Sequence, residues 1–313
     1  MKTLEHALSI PYGNAICYSG YRAGQAPERA YPTMAQIRED LLLLAPAWRY
    51  LRLYDTSEHA SRVLRTIRRE GLPFKVMLGA HIAAEVSNDN CPWGGTYSAS
   101  VLRRNRKTNE RNIDGLISMA RQYEDIVCCV SVGNEATVDW TDHLVPVSRV
   151  ISFVQKVKEG CDAPVTFCEN YVPWVEKLSP LVPHLDFLSV HTYPLWEYVP
   201  VSGAMDFSKE NYYSVANVYP DMPVIITEAG WASASNGRGM HADAANEKNQ
   251  ARFCKELVEW SQQSGVMAFV FEAFDEEWKG SADPLEPEKH WGLYDIERKP
   301  KAVVDALKPG LEV

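Results

Sequence analysis

Apolar runs of strand length alternate with segments of helical period along the whole chain, the signature of a parallel sheet with helical crossovers. Eight such runs can be placed. The first lies around Asn14 to Tyr18, and a helix then runs from Thr33 to about Leu44, opened by Thr33-Met34-Ala35-Gln36 at capping-box spacing. The second, Tyr50 to Asp55, precedes a helix that Ser57 can cap and Gly71 can end. The third, Phe74 to Gly79, opens into a long irregular stretch through Cys91-Pro92-Trp93-Gly94-Gly95-Thr96-Tyr97. A helix from about Asn109 to Tyr123 leads to the fourth run, Cys129 to Glu135, and another helix spans about Leu144 to Gly160. Pro164 to Glu169 is the fifth run and Phe187 to Tyr193 the sixth, after which a second long loop carries Trp196, Tyr198, Tyr212 and Tyr213. The seventh, Pro223 to Glu228, is followed by a helix near Asn246 to Ser264, then the eighth, Met267 to Phe274, and a last helix starting about Pro300.

Eight strand and helix pairs without a Pro/Gly-rich linker between halves predict a single (β/α)8 barrel domain over residues 1–313. An open doubly wound sheet is the alternative, but no glycine-rich phosphate turn follows the first strand. In such a barrel the loops that follow the strands build the active site. Here those loops are long and rich in Trp, Tyr, Asn and Glu, whereas the loops entering the strands are short and bland.

Two strands end in a glutamate. The fourth runs Cys129-Val130-Ser131-Val132 into Gly133-Asn134-Glu135, and the seventh ends Ile226-Thr227-Glu228. A carboxylate at the end of a buried strand needs a partner or a task. For one glutamate a rim salt bridge suffices; two on one rim form the carboxylate pair that glycoside hydrolysis requires. A separation of roughly 5 to 5.5 Å implies retention and roughly 6.5 to 9.5 Å inversion. Sequence spacing does not supply that distance.

Composition and charge narrow the substrate. A net charge of -9 argues against a nucleic-acid partner, because phosphate binding needs a basic face; an uncharged substrate fits. The N-terminal Met1-Lys2-Thr3-Leu4-Glu5-His6 lacks the apolar core of a secretion signal, and no run reaches the length of a membrane span. A soluble cytoplasmic protein without membrane contact is expected as the chain stands, or a periplasmic or secreted one if a signal has been removed; a monomer is assumed. The seven cysteines show no CxxC and no zinc-ligand spacing, and Cys17, Cys128, Cys129 and Cys168 fall in apolar runs, so buried thiols are expected. His81, His191 and His241 show no HExxH-type pattern and read as satisfied polar or core histidines; no metal and no cofactor is expected.

Gly133-Asn134-Glu135 and Glu228-Ala229-Gly230-Trp231, with Phe274-Asp275-Glu276-Glu277-Trp278-Lys279 and Glu288-Lys289-His290-Trp291-Gly292-Leu293, resemble glycoside hydrolase family 17, the β-1,3-glucanases and glucanosyltransferases. Arg52-Leu53-Tyr54-Asp55 and His191-Thr192-Tyr193-Pro194 look like that family's other strand-end motifs. The resemblance spans nearly the whole chain and implies a retaining double displacement on a (β/α)8 barrel. It makes Glu135 the acid/base, Glu228 the nucleophile and Asn134 the amide that binds the sugar 2-hydroxyl. Tyr193 would hold the nucleophile's carboxylate, Asp55 would join the substrate-binding residues, and Glu276, Lys279 and Glu288 would form a supporting polar cluster. One departure is Ala229-Gly230-Trp231-Ala232-Ser233, where plant members commonly carry Thr-Gly-Trp-Pro-Ser.

For the mechanism, burial and the nearby Glu228 charge are expected to keep Glu135 protonated, while Lys279 and the Tyr193 hydroxyl are expected to favour ionised Glu228. Trp140, Trp196 and Trp231 are candidates to stack on pyranose rings, with ordinary packing the alternative, above all for Trp231 directly behind its strand. The expected function is retaining hydrolysis of β-1,3-glucan or its oligosaccharides. Transfer to a sugar acceptor by the same residues, a sister barrel family acting on another β-glycan, and a catalytically silent glucan-binding barrel are the competing readings.

Overall fold

A computed structural model describes residues 2–311. In chain order its elements are α1 (Leu4–Leu8), β1 (Ala15–Cys17), α2 (Met34–Leu44), β2 (Tyr50–Leu53), α3 (Glu58–Glu70), β3 (Lys75–Ala80), α4 (Ala99–Gln122) and β4 (Val127–Asn134). The second half continues with α5 (Val147–Gly160), β5 (Val165–Asn170), α6 (Tyr171–Glu176), β6 (Leu188–Thr192), α7 (Val201–Ala216), β7 (Val224–Gly230), α8 (Glu247–Ser264), β8 (Ala268–Phe271) and α9 (Ala302–Leu311). The eight strands pair in sequence order, all parallel, and β8 closes on β1. The predicted (β/α)8 barrel is therefore the observed fold.

Local signals in the sequence explain most element ends. Both arms of the capping box form at α2, Gln36 N–H to Thr33 Oγ1 at 3.2 Å and Thr33 N–H to Gln36 Oε1 at 2.9 Å. At α3 the Ser57 hydroxyl accepts from His59 N–H, and Gly71 adopts the left-handed conformation (φ 65°) that ends a helix without a Cβ clash.

Two helices differ from expectation. The helix expected from about Asn109 starts ten residues earlier, at Ala99, behind a Ser98 cap. Its first turns hold Arg103, Arg104, Arg106 and Lys107, good helix formers with no apolar period to reveal them. Inside that helix the buried Asn109 exchanges two hydrogen bonds with Ala83, 2.7 and 2.9 Å long, and so pins the loop after β3. The second long loop is also shorter than expected, because Val201–Ala216 folds into α7 and places Tyr212 in the core. Its buried face, Ala204, Met205, Ser208, Tyr212 and Val215, does follow helical spacing, but the small and polar residues within it hide the period.

The apolar core has two compartments. One lies between strands and helices; the other, within the barrel, gathers Ala15, Cys17, Tyr50, Met77, Cys129, Cys168, Phe187, Ile225, Met267 and Phe269, with Leu4 and Ile10 packed against them. All seven cysteines are free thiols, and Cys17, Cys129 and Cys168 are buried. Among the described residues no helix is long and apolar enough to cross a membrane.

A buried ion cluster ties the seam of the barrel. Asp40 of α2 accepts from Arg298 Nε and Nη2 (both 2.8 Å), from Arg22 Nη2 (2.8 Å) and from the Tyr18 hydroxyl (3.2 Å), joining the segment after β1 to the one before α9. Removing one partner of a buried pair leaves the other charge uncompensated, so Asp40→Ala should lose about 3–5 kcal/mol. Urea unfolding would measure it, and a loss below about 1 kcal/mol would show that the arginines are already solvated.

Candidate active site

The carboxyl ends of β2, β4, β6 and β7 converge on Glu228. Arg52 of β2 is 1% exposed and lies under the carboxylate, with Nη1 donating to Glu228 Oε1 at 2.6 Å and to the Thr227 carbonyl at 3.0 Å. Its other terminal nitrogen donates to Asn134 Oδ1, and its guanidinium lies 4.5 Å from the Tyr54 ring centre. Tyr54 donates its hydroxyl to Glu228 Oε1 at 2.9 Å, and Tyr193 donates to Oε2 at 2.6 Å. Burial would push the Glu228 carboxyl up, but His191, Arg52 and the two tyrosine hydroxyls hold it below the usual carboxylate range. Glu228 is thus built to be an anion.

Glu135 is built differently. It follows β4 in a left-handed conformation (φ 44°), its side chain is 29% exposed against 7% for Glu228, and among the described residues its one side-chain hydrogen bond runs to His191. His191 Nδ1 lies 2.8 Å from Glu135 Oε1 and 3.4 Å from Glu228 Oε2, so a single imidazole N–H bridges both carboxylates. Burial would lower the imidazole, but the two carboxylates and Cys168 push it up to about 10. One oxygen of each glutamate and the bridging nitrogen all lie within 4.8 Å of one another. The same three groups could ligate a metal ion, but Arg52 against Glu228 opposes a dication there.

The register along the barrel explains how regular strands deliver these groups. The pairing shifts between Ser131 and Asn134 on β4, between Val190 and His191 on β6, and between Ile226 and Ala229 on β7. Such irregularities re-aim side chains at strand ends. They fall where Asn134, His191 and Glu228 leave the sheet.

Among the other sequence-predicted residues, Asn134 is spent on Arg52 through its oxygen only, leaving its amide N–H2 for the cleft. Asp55 accepts from Ser57 N–H at 3.0 Å and turns the chain into α3. Trp140 is 40% exposed on the segment after β4, and Trp196 lies against Trp291 with ring centres 5.7 Å apart. Trp231 is a correction: it is fully buried, donates its indole N–H to the Ala244 carbonyl at 2.9 Å and packs on Phe253, so it has no face for a sugar. Lys279 is another. It does join Glu276 (2.9 Å) in the expected polar cluster, with Glu272 at 2.7 Å, but the expected support of Glu228 fails, and Glu228 takes its positive charge from Arg52 and His191 instead. Glu288 lies 3.8 Å from Arg238. His81 and His241 are exposed, against rings of His143 and Tyr198, and are not core residues.

Sequence reasoning missed Arg52, Tyr54 and His191 as site residues, and Glu272 beside Lys279. The signal for Arg52 was present, since Tyr50-Leu51-Arg52-Leu53 puts an arginine on the barrel-facing side of an otherwise apolar strand.

Comparison with known proteins agrees with this geometry. A glucan 1,3-beta-glucosidase of Arthroderma benhamiae is 26% identical over 91% of this chain and 90% of its own length. A probable glucan endo-1,3-beta-glucosidase, btgC, of Aspergillus fumigatus is 26% identical over 90% of this chain, which spans only 40% of that longer protein. Among solved structures, an endo-laminarinase from Formosa superposes with a TM-score of 0.80 at 27% identity, over 95% of this chain and 87% of that one. A glycoside hydrolase family 17 β-1,3-glucanosyltransferase from Rhizomucor miehei shares the fold, with a TM-score of 0.72 at 22% identity over 92% and 95% of the two chains. The model of the BtgE/BtgC glycoside hydrolase domain matches residues 15–292, and the chain belongs to that family.

Proposed function

We propose that this glycoside hydrolase cleaves β-1,3-glucan or its oligosaccharides with retention of anomeric configuration, Glu228 being the nucleophile and Glu135 the acid/base. The observation that carries the mechanism is that one imidazole N–H, 2.8 Å from Glu135 and 3.4 Å from Glu228, reaches both carboxylates, a closeness that suits the roughly 5 to 5.5 Å between the carboxyl groups of retaining enzymes better than the roughly 6.5 to 9.5 Å of inverting ones. The names of the relatives supply the substrate class.

The roles follow from the surroundings of each glutamate. Glu228, buried and facing Arg52, His191 and two phenolic donors, is an anion aimed into the barrel mouth. It attacks the anomeric carbon as the glycosidic bond breaks. Glu135, more exposed and held through one oxygen, gives its proton to the departing oxygen, then takes one from the water that hydrolyses the glycosyl ester. The free Asn134 amide group next to Glu135 is placed to hold the 2-hydroxyl of the reacting sugar.

Azide separates the two roles. Glu228→Ala should lose turnover on laminari-oligosaccharides, and azide added to it should give an α-glycosyl azide; Glu135→Ala, given a dinitrophenyl laminarioside whose leaving group needs no proton, should with azide give the β-azide. Proton NMR of the products reads the configuration, and a Glu228→Ala variant with unchanged activity would sink the assignment. Proton NMR of the first wild-type products should show the β-anomer, and chromatography should show products shorter than the substrate; longer ones would assign transfer to a sugar acceptor.

The bridging imidazole makes a pH prediction. Glu228 must be ionised to attack, and the His191 cation is one of the groups that hold its proton affinity down. His191→Gln removes that charge and leaves Arg52 in place, so the acidic limb of kcat/KM should move to higher pH, by about one unit, equivalent to ~1.4 kcal/mol. A pH profile with an unmoved acidic limb would show that Arg52 and the two tyrosine hydroxyls set the ionisation without His191.

A further inference from the structure

A second buried glutamate stands behind the turn that carries Glu135. Glu169, near the end of β5, is fully buried, and its carboxylate accepts three hydrogen bonds: Thr137 N–H at 2.9 Å, Thr137 Oγ1–H at 2.6 Å and Asn170 N–H at 2.8 Å. Among the described residues no salt bridge reaches it. A buried carboxylate without a cation is costly, and burial with the charge of Glu135 nearby pushes this one up to about 7. Stability alone would be better served by a neutral side chain.

The turn it grips is strained. Gly133 (φ 85°) and Glu135 (φ 44°) are both left-handed, a region that costs an ordinary L-residue about 1–2 kcal/mol. Such conformations persist only where the surroundings over-determine them. Glu135 N–H reaches the Cys168 carbonyl at 2.9 Å, Val145 N–H reaches the Ala136 carbonyl at 2.8 Å, and His143 Nε2 donates to the Asn134 carbonyl at 2.8 Å. These bonds hold the backbone of residues 134–136. Thr137 is where the turn ends, and both its backbone and its hydroxyl are tied to Glu169.

We propose that Glu169 is a positioning residue for the general acid: by holding Thr137 through two hydrogen bonds it locks the left-handed turn that aims the Glu135 carboxyl at the departing oxygen. The inference rests on the reading of Glu135 as acid/base. Glu169 is too deep to touch a sugar and acts only through the turn. Glu169→Met keeps the length of the side chain but removes both acceptor oxygens, so the Thr137 N–H and hydroxyl lose their partner. The turn relaxes and the acid loses its aim; the Arg52 and Glu228 side of the site is untouched.

The test uses aryl β-laminaribiosides with different leaving groups, because kcat/KM reports only the step that breaks the glycosidic bond. Dinitrophenolate leaves without a proton and phenolate does not. For Glu169→Met, kcat/KM on the phenyl glycoside should fall about ten- to a hundredfold, the range that a misplaced catalytic group costs, while the dinitrophenyl glycoside changes far less. Thr137→Val, which removes only the hydroxyl donor, should show a smaller loss in the same order, and it decides the matter if the first variant does not fold. Equal losses on both substrates, or no loss on the phenyl glycoside, overturn the proposal. A wild type inactive on both glycosides overturns the functional reading beneath it.

Discussion

The arrangement at the barrel mouth depends on the ion pair between Arg52 and Glu228, 2.6 Å long and almost wholly out of water. A buried pair of this kind is weak evidence for stability, because desolvating two charges offsets much of their attraction. It is tolerated where every remaining donor finds an acceptor. Arg52 comes close to that condition: its terminal nitrogens reach Glu228, the Thr227 carbonyl and Asn134 and Tyr54 covers its face, while among the described residues its Nε finds no acceptor. The pair therefore joins β2, β4 and β7 across the barrel and sets the height at which the Glu228 carboxylate stands.

Two carboxylates within 4.8 Å repel unless something between them carries a proton or a positive charge. His191 supplies it with one N–H shared by Glu135 and Glu228. The sharing is unequal, 2.8 Å against 3.4 Å, and that inequality divides the labour. Glu228 keeps Arg52 and two phenolic hydroxyls and stays charged. Glu135, among the described residues, has only the imidazole as partner and is the more exposed of the two.

How much of this was legible in the sequence depended on whether a feature is local. The capping box at Thr33, the stop at Gly71, the strand runs and both glutamates each show themselves within a few residues and are found in the structure, with strand ends that differ: β8 stops at Phe271, short of the expected Phe274, β4 stops just before Glu135, and β7 runs two residues past Glu228. The start of α4 at Ala99 was hidden because its first turns are charged all round, and α7 because Ser208 and Asn211 occupy its buried face. The fully buried Trp231 and the pairing of Lys279 with Glu272 and Glu276 depend on what β8 and α8 bring alongside, which spacing along one strand does not encode. Tyr193 was legible and meets Glu228 at 2.6 Å; its neighbour His191 read as an ordinary polar residue because its two partners lie on β7 and behind β4.

The site also lies where the sheet is least regular. Slips in register at the ends of β4, β6 and β7 and left-handed backbone at Gly133 and Glu135 are departures that an ideal barrel would not need. A regular β4 would alternate its side chains into and out of the barrel, so Asn134 and Glu135 would face opposite ways. The left-handed step at Glu135 brings amide and carboxyl to the same cleft. Bonds from β5, from the segment before α5 and from Glu169 then hold the step in place, so the neighbours of the strand, more than the strand itself, determine where Glu135 points.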